Sequence, residues 1–396
     1  MDLKLDSSEK KFRDDVRSWL HDNVPREPRP ADSAEMAAFD RAWQKKQREG
    51  GWAGINWPTE YGGRGLTLVQ QLIWYEEYAR AQAPHVGTSF IGLSQAGPTL
   101  ILAGSEAQKA KHLPAILRGE EVWCQGFSEP GAGSDLAALQ TRATISGDEL
   151  IVSGQKIWTS YAHIADYQEL LVRTDPASRR HRGLSWVICD MKTPGISVRP
   201  ILTMSGRLHF CEVFFDEVRV PLSNVVGGLN NGWKVAMSTL AWERGTAFIA
   251  EQVDLSRVVD RLIEEARHAL GPDGRRAAIA HEDLAENLAA ARAEVRTLRA
   301  MTIASVSRIA RTGIPGPEAS IIRLYFSELY QRVRKLALRI AGPNAMDAGG
   351  GSAGEGWGWS YIDSFRYTIA AGTSEIQRNI IGEQILGLPR ARRSPN

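Results

Sequence analysis

The sequence predicts a mostly α chain with a β domain at its centre, and three observations carry that expectation. Apolar residues recur at helical spacing from residue 7 to about 120, switch to strand spacing from about 121 to 226, and return to helical spacing from about 232. Clusters of Gly and Pro break the two helical runs into separate elements. The 396 residues exceed one ordinary core, so two or three domains are expected. The expected division is an N-terminal helical domain over 1–120, a middle β-barrel or sandwich over 121–228, and a C-terminal four-helix bundle over 229–396.

In the first run, Ser7 or Ser8 is placed to cap a helix whose apolar face includes Phe12, Val16, Trp19 and Leu20. Gly50 to Gly65 is interrupted by Pro58 and further glycines and reads as a loop. Leu66 to Ala81 resumes helical spacing, and Ser105 with Gln108 has the form of a capping box. In the middle run, Thr141–Ile145 and Leu150–Ser153 flank Ser146-Gly147-Asp148, a hairpin signal. Cys211, Val213 and Phe215 mark another half-buried strand. The last run predicts helices near 233–269, 279–312 and 318–341 and one starting near Thr373, separated by Gly/Pro breaks.

Composition narrows the function classes. A hydrophobic content of 43% and a charged content of 24% suit a globular protein. Lys and Arg total 48 against 46 acids, a net charge of +2, which gives no electrostatic footing for nucleic acid or an acidic membrane. The three cysteines, Cys124, Cys189 and Cys211, have no metal-ligand spacing, so no metal is expected, and they suit a reducing compartment. No apolar stretch approaches a membrane span and no secretory signal is visible; a cytoplasmic location is the expectation.

The most informative stretch is Phe127-Ser128-Glu129-Pro130-Gly131-Ala132-Gly133-Ser134-Asp135. Pro130 fixes its own φ, and Gly131 and Gly133 permit angles that side chains forbid, so such a turn is suited to presenting several N–H groups to one ligand. After the hairpin comes Lys156-Ile157-Trp158-Thr159-Ser160, where the indole offers a flat wall and the hydroxyls offer donors and acceptors in a ring plane. Near the C-terminus stands Ala371-Gly372-Thr373-Ser374-Glu375-Ile376-Gln377-Arg378.

Together, in this order and spacing, these three segments resemble the acyl-CoA dehydrogenase family over residues 5 to 388 or so. The resemblance implies FAD as cofactor and oxidation of an acyl-CoA thioester to the trans-2-enoyl-CoA. It assigns Phe127, Ser128, Gly133, Ser134, Trp158, Thr159, Ser160, Thr373 and Glu375 to the flavin or thioester site. Ser160 is the candidate donor near flavin N5, and Ser134, Arg244, Ala371 and Gly372 are expected near the acyl-CoA.

That chemistry needs a base for the α-proton. Many members carry a Glu just before the Gly-Thr of the C-terminal motif, where this sequence has Ala371. Isovaleryl-CoA and long-chain dehydrogenases instead carry the base in a Leu-x-x-Glu-Arg pattern on the first long C-terminal helix, matched here by Leu240-Ala241-Trp242-Glu243-Arg244. Glu243 is therefore the expected base. The resemblance assigns the Ala371 N–H, with a flavin ribityl hydroxyl, to the thioester oxygen, and any residue but proline keeps that donor.

Two family features are altered. An Arg-x-x-Phe-Gly motif that reaches the neighbouring subunit's FAD is replaced by Gly271-Pro272-Asp273-Gly274-Arg275-Arg276, and a Gln-x-x-Gly-Gly segment by Arg339-Ile340-Ala341-Gly342-Pro343. Similar changes occur in a subgroup that includes the pimeloyl-CoA dehydrogenase large subunit and steroid-side-chain enzymes. The resemblance thus implies a homo-oligomer or a hetero-oligomer with a paralogous subunit, and electron-transfer flavoprotein as electron acceptor. A same-fold flavin oxidase or monooxygenase, or a subunit of a two-chain enzyme, is the alternative.

Overall fold

Helix α1 (Ser7–Asn23) opens the computed structural model, which describes residues 5–178, 180–243, 249–312, 316–346 and 356–390, without the side chains of 241–243 and 346. Its cap is Asp6 rather than Ser7 or Ser8. The Asp6 carboxylate accepts the Glu9 N–H at 2.8 Å and the Glu9 carboxylate accepts the Asp6 N–H at 2.9 Å, a reciprocal box built from two acids. Helix α2 (Ser33–Glu49) starts from Asp32, whose side chain accepts the N–H groups of Ala34 and Glu35. The loop expected from Gly50 follows, and then α3 (Leu68–Arg80), α4 (Gly97–Ala103) and α5 (Glu106–Arg118). Ser105 and Gln108 make both hydrogen bonds of the predicted box.

The middle run forms β1 (Trp123–Gly126), β2 (Arg142–Ser146), β3 (Glu149–Ser160), β4 (Tyr167–Arg173), β5 (Leu184–Asp190), β6 (Ile196–Ile201), β7 (Phe210–Pro221) and β8 (Val225–Val226). Gly147, at φ 63°, turns the β2–β3 hairpin. Strand β3 runs well past the expected Ser153, because β7 pairs with it as far as Ser160. The described strands make one sheet in the order β6-β7-β3-β2-β4-β5-β8, with β1 parallel to β4. Cys211 and Val213 of β7 share a core with Val187 and Cys189 of β5, although four places separate these strands in the order. The sheet therefore curls around its inner face, as a barrel does.

The last run gives α6 (Gly232–Glu243), α7 (Ile249–His268), α8 (Glu282–Thr312), α9 (Ala319–Ala341), α10 (Trp357–Ser364) and α11 (Ser374–Ile380). The single helix expected over 233–269 is described in two parts, because 244–248 lie outside the described residues. Helix α10 lies between the helix expected over 318–341 and the one expected from Thr373, where no helix is expected from the sequence. No helix among the described residues is long and apolar enough to cross a membrane.

These elements belong to two compact units, residues 14–67 with 82–243 and residues 1–13 with 68–81 and 244–396. In the first, the outer face of the sheet (Trp123, Leu171, Trp186, Ile188) is covered by Leu100, Leu113 and Ile116 of the helices and by Val235 and Ala236 of α6. The Thr99 and Thr239 hydroxyls meet at 2.6 Å between α4 and α6. In the second, Leu262, Leu288, Leu298, Phe326 and Val333 join α7, α8 and α9 in one core. Each such side chain contributes about 1.5–3 kcal/mol on full burial. Helix α3 completes this unit from far back in the chain: Arg299 of α8 donates to Glu76 at 2.9 Å, and Arg257 of α7 to the Ala79 carbonyl at 2.8 Å.

Candidate active site

The turn after β1 is held by a buried ion pair that the sequence reading missed. Glu129 and Ala132 exchange backbone hydrogen bonds of 3.1 and 3.0 Å, closing the Pro130–Gly131 turn. The Glu129 carboxylate accepts the Gln140 N–H at 2.6 Å, the Thr141 N–H at 2.9 Å and Lys156 Nζ at 2.8 Å. Lys156 is fully buried, and its Nζ also donates to the Phe127 carbonyl at 3.1 Å. The Ser128 carbonyl accepts the Ile157 N–H at 2.9 Å, so both segments of the expected flavin site are tied into one piece.

Burial favours a neutral Lys156 and, against the attraction of Glu129, pulls its ammonium down to about 8. For Glu129, burial alone would raise the carboxyl, but Lys156 and the Thr141 and Gln140 donors hold it below the ordinary value. Both groups are thus charged at neutral pH. The signal for this pair was available: Lys156 occupies an inward register of β3, and a buried ammonium requires a carboxylate partner.

The glycines of the turn act differently from what the sequence suggested. Neither Gly131 nor Gly133 has a positive φ. A Cβ built on either would meet nothing within 4 Å, so these residues leave open space over the backbone rather than supply a forbidden conformation. Phe127 is buried beneath, and Ser134 is exposed on the same turn.

A β-bulge aims the second segment. Lys156 pairs with Val213 and Thr159 with Cys211, which leaves one extra residue on β3. Trp158, at φ 61°, takes up the irregularity, and its indole is 56% exposed although Lys156, two positions earlier, points inward. Thr159 is buried and its Oγ1 has no hydrogen-bond partner. Ser160 is half-buried beside it. An exposed indole, an orphaned hydroxyl and an open glycine turn fit a flat ligand with hydrogen-bonding edges.

In the other unit, Ala371 stands at φ 54° and Gly372 at φ 89°, in the turn that leads to α11. Thr373 caps that helix, its Oγ1 accepting the Ile376 N–H at 3.3 Å. Glu375 is exposed in the first turn, and backbone N–H at that helix start, with Thr373, holds its carboxyl below the ordinary value. Position 243 lies one turn beyond Thr239 on α6, while its side chain and all of Arg244 fall outside the described residues. Of the arginines in the altered motifs, Arg276 pairs with Asp273 at 2.8 Å and Arg339 pairs with Asp283.

Residues 6–120, 124–218 and 230–386 match, respectively, the N-terminal, middle and C-terminal domains of acyl-CoA dehydrogenase. The chain is 39% identical over 386 residues to acyl-CoA dehydrogenase IpdE1 of Mycobacterium tuberculosis (strain ATCC 25618 / H37Rv), covering 96% of this chain and 97% of that one. Among solved structures, the Tcur3481-Tcur3483 steroid ACAD superposes with a TM-score of 0.86 at 30% identity, over 99% of this chain and 100% of the other. The ChsE4-ChsE5 complex from Mycobacterium tuberculosis does so at 0.84 and 32%, with the same coverage. The chain belongs to the acyl-CoA dehydrogenase family, whose members are FAD-binding oxidoreductases.

Proposed function

We propose that this chain holds FAD and dehydrogenates an acyl-CoA thioester across Cα–Cβ to the trans-2-enoyl-CoA. The observation that carries the reading is the pairing of an orphaned Thr159 hydroxyl with the exposed Trp158 indole, beside a turn that leaves space over Gly131 and Gly133. Phe127, Ser128, Gly133, Ser134, Trp158, Thr159, Ser160, Thr373 and Glu375 hold the cofactor. FAD, when bound, supplies the acceptor for the β-hydrogen as hydride. Glu243 takes the α-proton, the electron pair of that C–H bond becomes the new π bond, and the Ala371 N–H donates to the thioester oxygen as charge gathers there. Ser134, Arg244 and Gly372 lie along the acyl-CoA. Electrons leave to electron-transfer flavoprotein.

The purified chain should be yellow and release flavin on denaturation. Anaerobic addition of acyl-CoAs, from short branched to steroid, should bleach the flavin with at least one of them. A protein that binds FAD but is bleached by none would remove the dehydrogenase reading. Rapid return of colour on admission of air alone would favour the oxidase alternative.

We further propose that the working form is an oligomer, with a second copy or a paralogous chain. Ile362, Phe365, Ile369, Ile385, Leu386 and Leu388 leave large apolar side chains exposed in the last part of the chain, more than a solitary subunit usually shows in one stretch. Light scattering should give at least twice the 43.7 kDa chain mass at micromolar concentration. A fully active monomer would contradict this.

A further inference from the structure

Arg323, on α9, is only 8% exposed. Its Nη2 donates to the Ala370 carbonyl at 2.8 Å and to the Tyr367 carbonyl at 2.9 Å. The Ala370 oxygen and the Ala371 N–H are opposite ends of one planar peptide unit. On the far side, Gln377, 4% exposed, donates from Nε2 to the Ala371 carbonyl at 3.0 Å. Ala371 is thus held through the peptides on both its sides, the 370–371 peptide by Arg323 and the 371–372 peptide by Gln377, within a turn at φ 54°. Among the described residues, the Ala371 N–H itself has no acceptor.

We propose that Arg323 is a positioning residue of the oxyanion site, orienting and polarising the 370–371 peptide so that the Ala371 N–H donates more strongly. A charge-assisted bond on an amide oxygen draws electron density toward that oxygen and makes the N–H at the other end a better donor. The effect grows as negative charge develops on the thioester oxygen, so it lowers the barrier more than it tightens binding. A guanidinium that merely fastened α9 to the 365–370 turn would affect stability and leave that difference unchanged. The inference rests on the reading of Ala371 given above.

The test uses the full FAD-loaded chain with Arg323→Gln and Arg323→Lys. The probe is a 3-oxoacyl-CoA, whose acidic α-C–H ionises on binding and whose enolate gives a long-wavelength charge-transfer band with oxidised flavin. The apparent pKa of that ionisation measures oxyanion stabilisation without turnover. Arg323→Gln should raise it by about one unit and lower kcat about tenfold, with KM changed less than about twofold. Arg323→Lys, which keeps the charge but reaches fewer acceptors, should fall between. A folded Arg323→Gln protein with normal flavin content and an unmoved pKa overturns the proposal. Should that variant not fold, Arg323→Lys decides alone, and a pKa within about 0.2 unit of the unsubstituted protein overturns it. Failure of the unsubstituted protein to ionise a probe that it binds would show that Ala371 is misread, and would be recognised as such before any variant is compared.

Discussion

Glu243→Gln is expected to lower turnover by about two to four orders of magnitude, the usual contribution of a positioned base. The amide keeps the size and the hydrogen-bonding edges of the carboxylate but cannot take a proton, so acyl-CoA affinity and flavin content should change little. Stopped-flow flavin reduction under anaerobic conditions separates the chemical step from electron release. The partner experiment is Ala371→Glu, which returns a carboxylate to the position used by other members of the family. Ala371 already adopts φ 54° with a Cβ, so an unbranched Glu meets no new backbone penalty there. Some activity regained in the double variant would mean that both positions address the same Cα. Near-normal turnover in Glu243→Gln alone would move the base elsewhere, including to a partner chain.

The largest stability effect is expected at Lys156. Lys156→Met leaves the Glu129 carboxylate buried with only backbone donors, and breaking a buried pair in this way costs about 3–5 kcal/mol. Urea unfolding should report that loss. FAD affinity should fall with it, because the same pair holds the 127–135 turn and the Phe127 carbonyl. Lys156→Met with Glu129→Gln removes both charges and should recover part of the stability. A single variant as stable as the parent would mean that the pair is replaceable by apolar packing alone. Acid should act on the same pair. The folded Glu129 carboxyl titrates below its ordinary 4.5, so its contribution is present above pH 4.5 and is lost as pH falls through the lowered value. Flavin should accordingly be released on the acid side of pH 4.5 and retained at neutral pH.

Much of this was legible because local chemistry and tertiary position agree. Ser105 and Gln108 form the box their spacing announces, and Gly147-Asp148 turns the hairpin it marks. The end of β3 was not legible, because Gly154, Gln155 and Lys156 are poor strand residues that pairing with β7 overrides. Asp6 was passed over for the neighbouring serines, since all three are good caps and only the geometry selects among them. The chemistry at positions 243 and 371 was read as a pair from family resemblance. The bulge that turns Trp158 outward, by contrast, depends on β7, some fifty residues later in the chain.

Helix α3 has a consequence for synthesis. Its Ile73, Trp74 and Tyr78 are buried in the finished protein, and its partners α7 and α8 begin at residues 249 and 282. A ribosome adding about 5–20 residues per second leaves this helix without those partners for roughly ten to forty seconds. The unit made of 14–67 and 82–243 is complete in sequence before that interval ends, so it is free to fold while this helix still lacks its partners. A nascent chain stalled before residue 249 should therefore show protease cleavage within 68–81 while the β domain resists, and the site should close once α8 has emerged.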